Sequence, residues 1–512
     1  MPRSMHSRTL YLGEPKLYST NSSVEGLLGA WMGKIDFQAT QKSRISFRYG
    51  QTDNIYWQKR VWGTNAAEPN TEWPGQRVPR NWGADWTYTL TPKLVLNLRA
   101  GLSRYETFNG NSFAQGFDPR TLGFPDSLVR QFTTLQFPRV NIDGYSEMGA
   151  SYVTLYQTHD SWTLQPNLSY SMGRHFLKFG GEFRRYNDNT LQPGAAAGTY
   201  SFTRAWTQAN PLQSDALSGN GFASFLLGNP ASGSVDRNID PSYSNFYYAL
   251  FLQDDLKVNS KLTLNLGLRW DYETPRWERF NRMVRGFAFD QASPLASKVQ
   301  GLDLKGGLVF AGVNGQSRYA FDTFRTNFQP RVGVAYQFLP KFVFRGGWAL
   351  SYLGQSSQGD PTGFSLATPI VATLDGGLTP AASLSDPFPA SIYPNGLLKA
   401  PGSSAGMAAN LGQAIGFQYV NRKLPYSHQV SFGFQYEMRG WLLDASYVGN
   451  FTRRRPVTVG LNFLPLAVLQ SLPVEQRQAY FTSKLSNPMA GLLTGSSLNV
   501  SQLTRQQLLV AY

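Results

Sequence analysis

The stretch Tyr247–Tyr272 reads YYALFLQDDLKVNSKLTLNLGLRWDY, and it decides the fold. It contains two segments of alternating apolar and polar residues, joined by a short polar turn at Asn259–Lys261. Because successive side chains of a strand point to opposite faces, each segment predicts a strand with one apolar and one polar face. Two such strands around a tight turn predict an antiparallel hairpin. Its apolar face would consist of Tyr248, Leu250, Leu252, Leu256, Leu262, Leu264, Leu266, Leu268, Trp270 and Tyr272.

The same pattern occurs in five further pairs of segments, which predicts six hairpins in all. Several of these strands have about 9–11 residues, the length that a tilted strand needs to cross a bilayer. The apolar stripes carry Trp and Tyr residues, which are stable at the level of the lipid headgroups. We therefore predict a lipid-interface girdle that consists of Trp82, Trp86, Trp162, Tyr248, Trp270, Tyr272, Trp348, Tyr352, Trp441 and Tyr447.

The connections between the hairpins are much longer than the turns within them and are rich in Gly, Pro, Ser and Asn. A soluble domain rarely contains repeated structureless loops of this size, whereas outer-membrane barrels carry short turns at one end and long loops at the other. A soluble sandwich or propeller is the alternative, but its strands are shorter and more evenly spaced. The predicted loops are Gln51–Asn81, Glu106–Asp160, Asn187–Ser244, Glu273–Asn327 and Leu353–Ser427.

The composition agrees with a strand-rich membrane protein. Aromatic residues make up 14% and charged residues 15% of the chain, and the mean hydropathy is −0.31. No apolar run reaches about 18 residues, so no transmembrane helix is predicted. The chain has no cysteine, which excludes disulfides and thiolate metal sites. The net charge of +15 comes from basic residues scattered along the chain, a distribution that favours an acidic lipid or polysaccharide surface over nucleic acid.

The polar faces of the predicted strands are charged. If the apolar faces meet lipid, these charges line the lumen of the barrel, where they pair with each other or with a plug. The predicted lumen-lining residues are Arg48, Arg99, Lys178, Arg184, Arg269 and Arg345.

No motif in the sequence predicts catalysis. The four histidines are far apart, and the chain has no HExxH, CxxC or Walker-type loop. Asp254 and Asp255 are adjacent on a predicted strand, so their carboxylates point to opposite faces. Gly219 and Gly221 resemble a phosphate-binding loop only superficially, since no lysine follows, and Phe222–Leu227 reads as a short apolar helix or loop anchor. We predict no catalytic residue, no cofactor and no metal site.

Four stretches, in the expected order, resemble the barrel of TonB-dependent receptors of the Oar-like type. Besides Tyr247–Tyr272 these are SGNGFASFLLGNP at Ser218–Pro230, NFQPRVGVAYQF at Asn327–Phe338 and SHQVSFGFQYEMRGWLLDASYVGN at Ser427–Asn450. The resemblance implies an all-β, transmembrane, antiparallel up-and-down barrel in the cell outer membrane. A complete barrel of that family has roughly 22 strands, of which about 12 or more would lie in this chain.

The resemblance also implies how the chain is organised. Residues 1–33 would be a segment of uncertain structure and residues 34–512 a partial barrel, with the regulatory-like β domain and the plug absent. Leu503–Tyr512 would lead into further strands, so we expect an internal fragment.

The expected partners are outer-membrane lipid and an extracellular ligand, which is a chelate, an oligosaccharide, a peptide or a protein. A TonB-type energy-coupling protein would act only through the missing N-terminal region. An outer-membrane adhesin or surface scaffold is the alternative function, and a soluble carbohydrate-binding protein a third.

Overall fold

A computed structural model describes residues 24–511 except 59, 61, 70–73, 151, 211–216, 355–362, 465, 494, 495 and 497. Its strands are β1 (Val24–Thr40), β2 (Ser43–Gln58), β3 (Gly75–Thr91), β4 (Leu94–Gly110), β5 (Arg139–Ile142), β6 (Thr154–Met172), β7 (His175–Leu191), β8 (Thr199–Phe202), β9 (Ser232–Asp236), β10 (Ser242–Lys257), β11 (Leu262–Glu273), β12 (Trp277–Glu278), β13 (Val284–Phe287), β14 (Leu308–Phe310), β15 (Asn327–Leu339), β16 (Phe342–Tyr352), β17 (Ala367–Pro369), β18 (Tyr426–Met438), β19 (Trp441–Arg453), β20 (Lys484–Ser486) and β21 (Gln502–Thr504).

Helices are short and lie between the long strands or after the last of them. They are α1 (Asp126–Val129), α2 (Gly221–Leu226), α3 (Leu466–Gln470), α4 (Val474–Thr482) and α5 (Arg505–Ala511). Single 3-10 turns occur at Pro119–Leu122, Arg204–Trp206, Ala296–Lys298 and Gly406–Ala408. Among the described residues, no helix combines the length and the apolar character needed to span a membrane.

Twelve long strands form one antiparallel sheet, which we call the wall. Its order is β1-β2-β3-β4-β6-β7-β10-β11-β15-β16-β18-β19, and the two-residue strand β12 pairs with β10 beside it. Each long strand therefore pairs with the long strands before and after it in the chain, as an up-and-down topology requires. All six predicted hairpins are confirmed, including the one in which Leu250 pairs with Trp270 and Leu252 with Leu268.

The apolar face of the wall is exposed over its whole width. Leu250 is 61% exposed and Leu252 55%, although both lie in the middle of a strand. Neither a second sheet nor a helix of the described chain covers this face. Large apolar side chains without a protein cover are what a lipid-facing strand presents.

β16 has 11 residues, within the 9–11 predicted for several strands, but the other long strands are longer, up to 19 residues in β6. They extend beyond the apolar stripe, where the same face becomes polar, as at Arg80 before Trp82 on β3 and Arg104 after Leu102 on β4. The loop predicted at Gln51–Asn81 shrinks accordingly to residues 59–74. The first strand begins at Val24, before the predicted boundary at Lys34, and residues 1–23 lie outside the described residues.

The connections between the hairpins are not structureless. The described residues of the four loops 111–153, 192–241, 274–326 and 353–425, with part of the segment after β19, form a packed layer at one end of the wall, which we call the loop layer. The short helix predicted at Phe222–Leu227 is present there as α2. One of its sheets has the order β17-β9-β8-β5 and takes strands from three loops. Its main core contains Phe124, Leu128, Val129, Val140, Ile142, Tyr200, Phe202, Val235, Ile370, Ala382, Phe388, Tyr393 and Leu397.

The segment after β19 contains no strand of the wall. Gln502–Thr504 forms a three-residue strand with Lys484–Ser486, and the helix α5 follows. Met489 and Leu493 pack against Leu295 and Val299, so this segment contacts the loop after β11. That Leu503–Tyr512 leads into further strands stays a prediction.

Candidate functional site: the polar face of the wall and the mouth below the loop layer

The polar face of the wall carries a hydrogen-bonded ion network centred on Glu182. Its side chain is only 9% exposed and pairs with Arg184 and with Arg269, whose Nη2 lies 2.8 Å from Oε2. Gln165 donates to the same carboxylate at 2.8 Å. A buried carboxylate is stable only when charges and donors compensate its lost hydration, and Glu182 has both.

The network continues across the neighbouring strands through Tyr247. Arg269 donates to the Tyr247 hydroxyl oxygen at 2.7 Å, and this hydroxyl donates to Asp271 at 3.2 Å. Gln329 on β15 also donates to Asp271. Five adjacent strands, β6, β7, β10, β11 and β15, are thus joined by side chains as well as by their backbone ladders.

The six predicted lumen-lining residues all lie on this polar face, in strand positions opposite to the apolar stripe. Arg99 pairs with Asp85 at 2.9 Å, while Arg184 and Arg269 share Glu182. Within the described residues Arg48, Lys178 and Arg345 form no ion pair. That this face encloses a lumen remains a prediction.

Sequence analysis missed Glu182, Tyr247 and Asp271 as partners in the network. Their polar-face positions were readable from the alternation, but the identity of the neighbouring strand was not. Arg269 and Glu182 are 87 residues apart and meet because β7 and β11 both flank β10.

The predicted girdle residues lie on the apolar face. Rings contact each other across strands, as in Tyr49 with Trp82 at a centroid distance of 5.2 Å and Tyr248 with Tyr272 at 6.2 Å. Only some lie at strand ends, such as Tyr272, Tyr352 and Trp441, whereas Trp82, Trp162, Tyr248, Trp348 and Tyr447 lie near the middle of their strands. The interfacial role of the girdle stays a prediction.

Two histidines outside the network each pair with a single carboxylate. His159 pairs with Asp188, and His175 lies 2.7 Å from Asp254. Asp255, on the opposite face, accepts from Asn265 at 2.7 Å, which confirms that Asp254 and Asp255 point apart. No group of three potential metal ligands occurs among the described residues.

Glu278 is a fully buried carboxylate at the start of the loop after β11. It accepts from the Arg282 guanidinium at 2.7 Å and from the backbone N–H groups of Phe280 and Arg282 at 2.8 and 3.0 Å. Arg282 also donates to the carbonyl of Asp240 at 2.7 Å. The ion pair therefore orders the loop after β11, and Arg282 joins this loop to the loop before β10.

A cavity of about 30 Å³ lies where the polar face meets the loop layer, and we call it the mouth cavity. It is lined by Asn245, Glu273, Thr274, Arg276, Ala320, Phe321 and Gln418. The Arg276 guanidinium lies over the ring of Tyr243, 4.0 Å from its centroid. The Arg422 guanidinium lies over Phe321 at 3.6 Å. Burial lowers the pKa of both arginines.

A wall with one bare apolar face, one charged face and loops gathered at one end is the geometry of an outer-membrane barrel. A family model described as outer membrane beta barrel domain matches residues 12–504. The chain belongs to this family. Its place is therefore the cell outer membrane, and the fold predicted from the alternating strands is confirmed.

Solved structures similar to this outer-membrane barrel chain are receptors and transporters. They include the ferric-catecholate import receptor Fiu from Escherichia coli (12% identity, TM-score 0.38, 83% of this chain and 51% of that one). The outer membrane transporter YddB from Escherichia coli is 11% identical with a TM-score of 0.44, over 83% of this chain and 40% of that one. The siderophore receptor PiuA from Acinetobacter baumannii is 11% identical with a TM-score of 0.38, over 83% of this chain and 50% of that one. This chain spans 40–51% of the length of these three. A search of curated proteins found no match.

Proposed function

We propose that this chain is the barrel portion of a TonB-dependent outer-membrane receptor, in which the loop layer captures a ligand for energy-coupled uptake. The observation that carries the proposal is the pairing of a charged wall face with a folded loop layer at one end. A ligand held by the loop layer would lie next to the charged face. The four stretches that resemble Oar-like receptors support the same reading.

The loop layer suits ligand capture because it is already folded. Tyr200 and Phe202 are 0% and 1% exposed, and Gln131 of one loop accepts from the backbone of Leu397 in another at 2.7 Å. A preorganised surface loses less conformational entropy on binding than flexible loops would. The ligand class is a chelate, an oligosaccharide, a peptide or a protein.

The experiment separates transport from capture. The complete gene product is expressed in cells with and without their energy-coupling protein, and the culture medium is followed by mass spectrometry. We expect depletion of at least one compound that requires both proteins. Binding that is equal with and without the coupling protein, and no depletion, would contradict energy-coupled uptake.

A surface scaffold or adhesin is the second candidate, and the same folded loop layer favours it. Its cores form between loops, so the layer presents a fixed outer surface without any help from a plug. In that case cells carrying the gene product would adhere to a surface or partner whether or not the coupling protein is present.

A further inference from the structure

We infer that the mouth cavity binds a carboxylate group, held by Arg276, which lines the cavity, and attracted by the charge of Arg422, which contacts the lining residues Phe321 and Gln418. The inference goes beyond the proposed function, because it assigns a binding site to the purified chain. Only its extension, that the carboxylate belongs to the captured ligand, rests on the proposed function.

Arg276 is charged, partly buried and without a protein acceptor. Among the described residues its guanidinium donates no hydrogen bond and forms no ion pair, and its one close partner is the face of Tyr243. A guanidinium that is removed from water needs acceptors for its five N–H donors, which lie in its plane. An aromatic ring over its face accepts from none of these N–H groups. These in-plane donors are the ones that bind carboxylates in pairs.

Arg422 supplies a second positive charge to the same place. It touches the cavity through two lining residues, since it lies over Phe321 and donates weakly to Gln418 Oε1 at 3.5 Å. Burial lowers the pKa of Arg422; the charge of Glu273 raises it, and the charge of Arg276 lowers it further. Two like charges beside one cavity are stabilised by an anion between them.

The acidic group at the cavity does not neutralise both cations. Glu273 lines the cavity and accepts from Asn245 at 3.0 Å. Against two guanidinium groups it leaves one positive charge in excess. The nearby Arg285 already pairs with Asp322, and Asp188 pairs with His159.

Size and shape favour a carboxylate. A space of about 30 Å³ takes a group of roughly one or two water volumes, which fits the two oxygens of a carboxylate. Both guanidinium planes are fixed by aromatic rings, so the donors are oriented before the anion arrives. A planar acceptor suits such preoriented planar donors.

The test uses the full chain in detergent and isotope-labelled acetate as the probe, with its NMR line width as the readout. We expect saturable broadening that unlabelled acetate displaces and that sodium chloride at equal ionic strength does not. Arg276→Gln should raise the half-saturating acetate concentration by roughly tenfold, the loss of one charge-assisted contact. Arg422→Gln should raise it by less, because it removes a neighbouring charge without removing a contact.

Two further variants keep the test interpretable. Arg276→Lys keeps the charge and protects the fold but loses the planar donor pair, so it should weaken acetate binding less than Arg276→Gln does. Arg120→Gln is the matched control, since Arg120 lies in the loop layer but pairs with Asp118 and Asp126 at 2.9 and 2.8 Å. It should leave acetate binding unchanged.

The inference is overturned if acetate gives no saturable broadening or if Arg120→Gln weakens binding as much as Arg276→Gln. Displacement by inorganic phosphate at lower concentration than by acetate would overturn the choice of a carboxylate. Because the measurement involves no transport, a failure of uptake in cells leaves it unaffected, and a failure of acetate binding leaves the uptake experiment unaffected.

Discussion

The wall and the loop layer differ in the exposure of their large apolar side chains. In the wall Leu250 and Leu252 are more than half exposed, whereas in the loop layer Tyr200, Phe202 and Val235 are almost completely buried. Apolar burial stabilises a fold in water, so the loop layer follows the rule for aqueous domains. The wall satisfies its backbone by ladder hydrogen bonds and leaves its apolar face to lipid. The same chain therefore contains one region that is stabilised by apolar burial in water and one whose apolar face is exposed to lipid.

The strongest effect concerns a buried ion pair of the loop layer, which has no counterpart on the apolar face of the wall. Glu278→Ala removes the acceptor of Arg282 and of two backbone N–H groups, and it leaves a buried guanidinium without its anion. We expect the free energy of unfolding of the loop layer to fall by about 3–5 kcal/mol. Pulse proteolysis in increasing urea measures it.

The control for this variant is Asp303→Ala, which removes the exposed ion pair with Lys305 at 2.7 Å. Exposed pairs contribute about 0–1 kcal/mol, so the loop layer should keep its stability. Equal losses in the two variants would contradict the stabilising role of Glu278 in the loop layer.

The next prediction compares the free-energy cost of a charge on the two faces of the wall. Leu266→Arg places a charge on the apolar face, whereas Asn265→Arg places it beside Asp255 on the polar face. In a bilayer the first should cost about 2–4 kcal/mol and the second far less. Folding of each variant into vesicles under denaturant titration measures both. A similar cost for the two positions would contradict the assignment of faces.

The two regions also differ in how much of them the sequence predicts. The wall follows from local alternation: the pattern in Tyr247–Tyr272 contains both its strands and its turn. The core of the loop layer joins Val140, Tyr200, Val235 and Ile370, which come from three loops and share no local period. Long-range packing of this kind leaves no signal in a single sequence, and for this reason the sequence predicted only the short helix at Phe222–Leu227 within the loops and not their common core.

The candidate site divides in the same way. The faces of Arg99, Arg184 and Arg269 follow from alternation along single strands. Their partners depend on which strands are neighbours, and the mouth cavity depends on Arg276 and Arg422, which lie in two different loops. Neither arginine belongs to a motif, so sequence reasoning had no reason to select them.

A smaller effect tests a single polar contact inside the loop core. The Tyr393 hydroxyl donates to the carbonyl of Pro369 and joins the edge strand β17 to the core. Tyr393→Phe should lower the free energy of unfolding of the loop layer by about 1 kcal/mol. Phe388 is a neighbouring ring of the same core, and Phe388→Tyr is the reverse control, which adds a hydroxyl without removing a bond. A gain in stability for Tyr393→Phe would contradict this contact.

The smallest effect is the loss of stability of the loop layer at alkaline pH. Burial raises the pKa of Tyr393 to about 12, and it also raises the pKa of Tyr200. A group whose pKa is higher in the folded state stabilises the fold fully below its unfolded value of about 10. This stabilisation is lost as the pH rises through 12. We expect the urea midpoint of the loop layer to fall between pH 10 and 12, and to fall less in Tyr393→Phe.

The central claim is that the apolar face of the wall meets lipid while the opposite face does not. The chain has no cysteine, so single cysteines can be introduced on β11 without background labelling. After reconstitution in outer-membrane lipid, each cysteine carries a spin label whose collisions with oxygen and with a water-soluble nickel complex are measured. The positions are Thr263→Cys, Leu264→Cys, Asn265→Cys, Leu266→Cys, Gly267→Cys and Leu268→Cys.

We expect the accessibility of the labels to alternate with a period of two residues. Labels at the leucine positions should collide mainly with oxygen, and labels at the three positions between them mainly with the nickel complex. Equal accessibility at all six positions, or leucine positions reached mainly by the nickel complex, would contradict it.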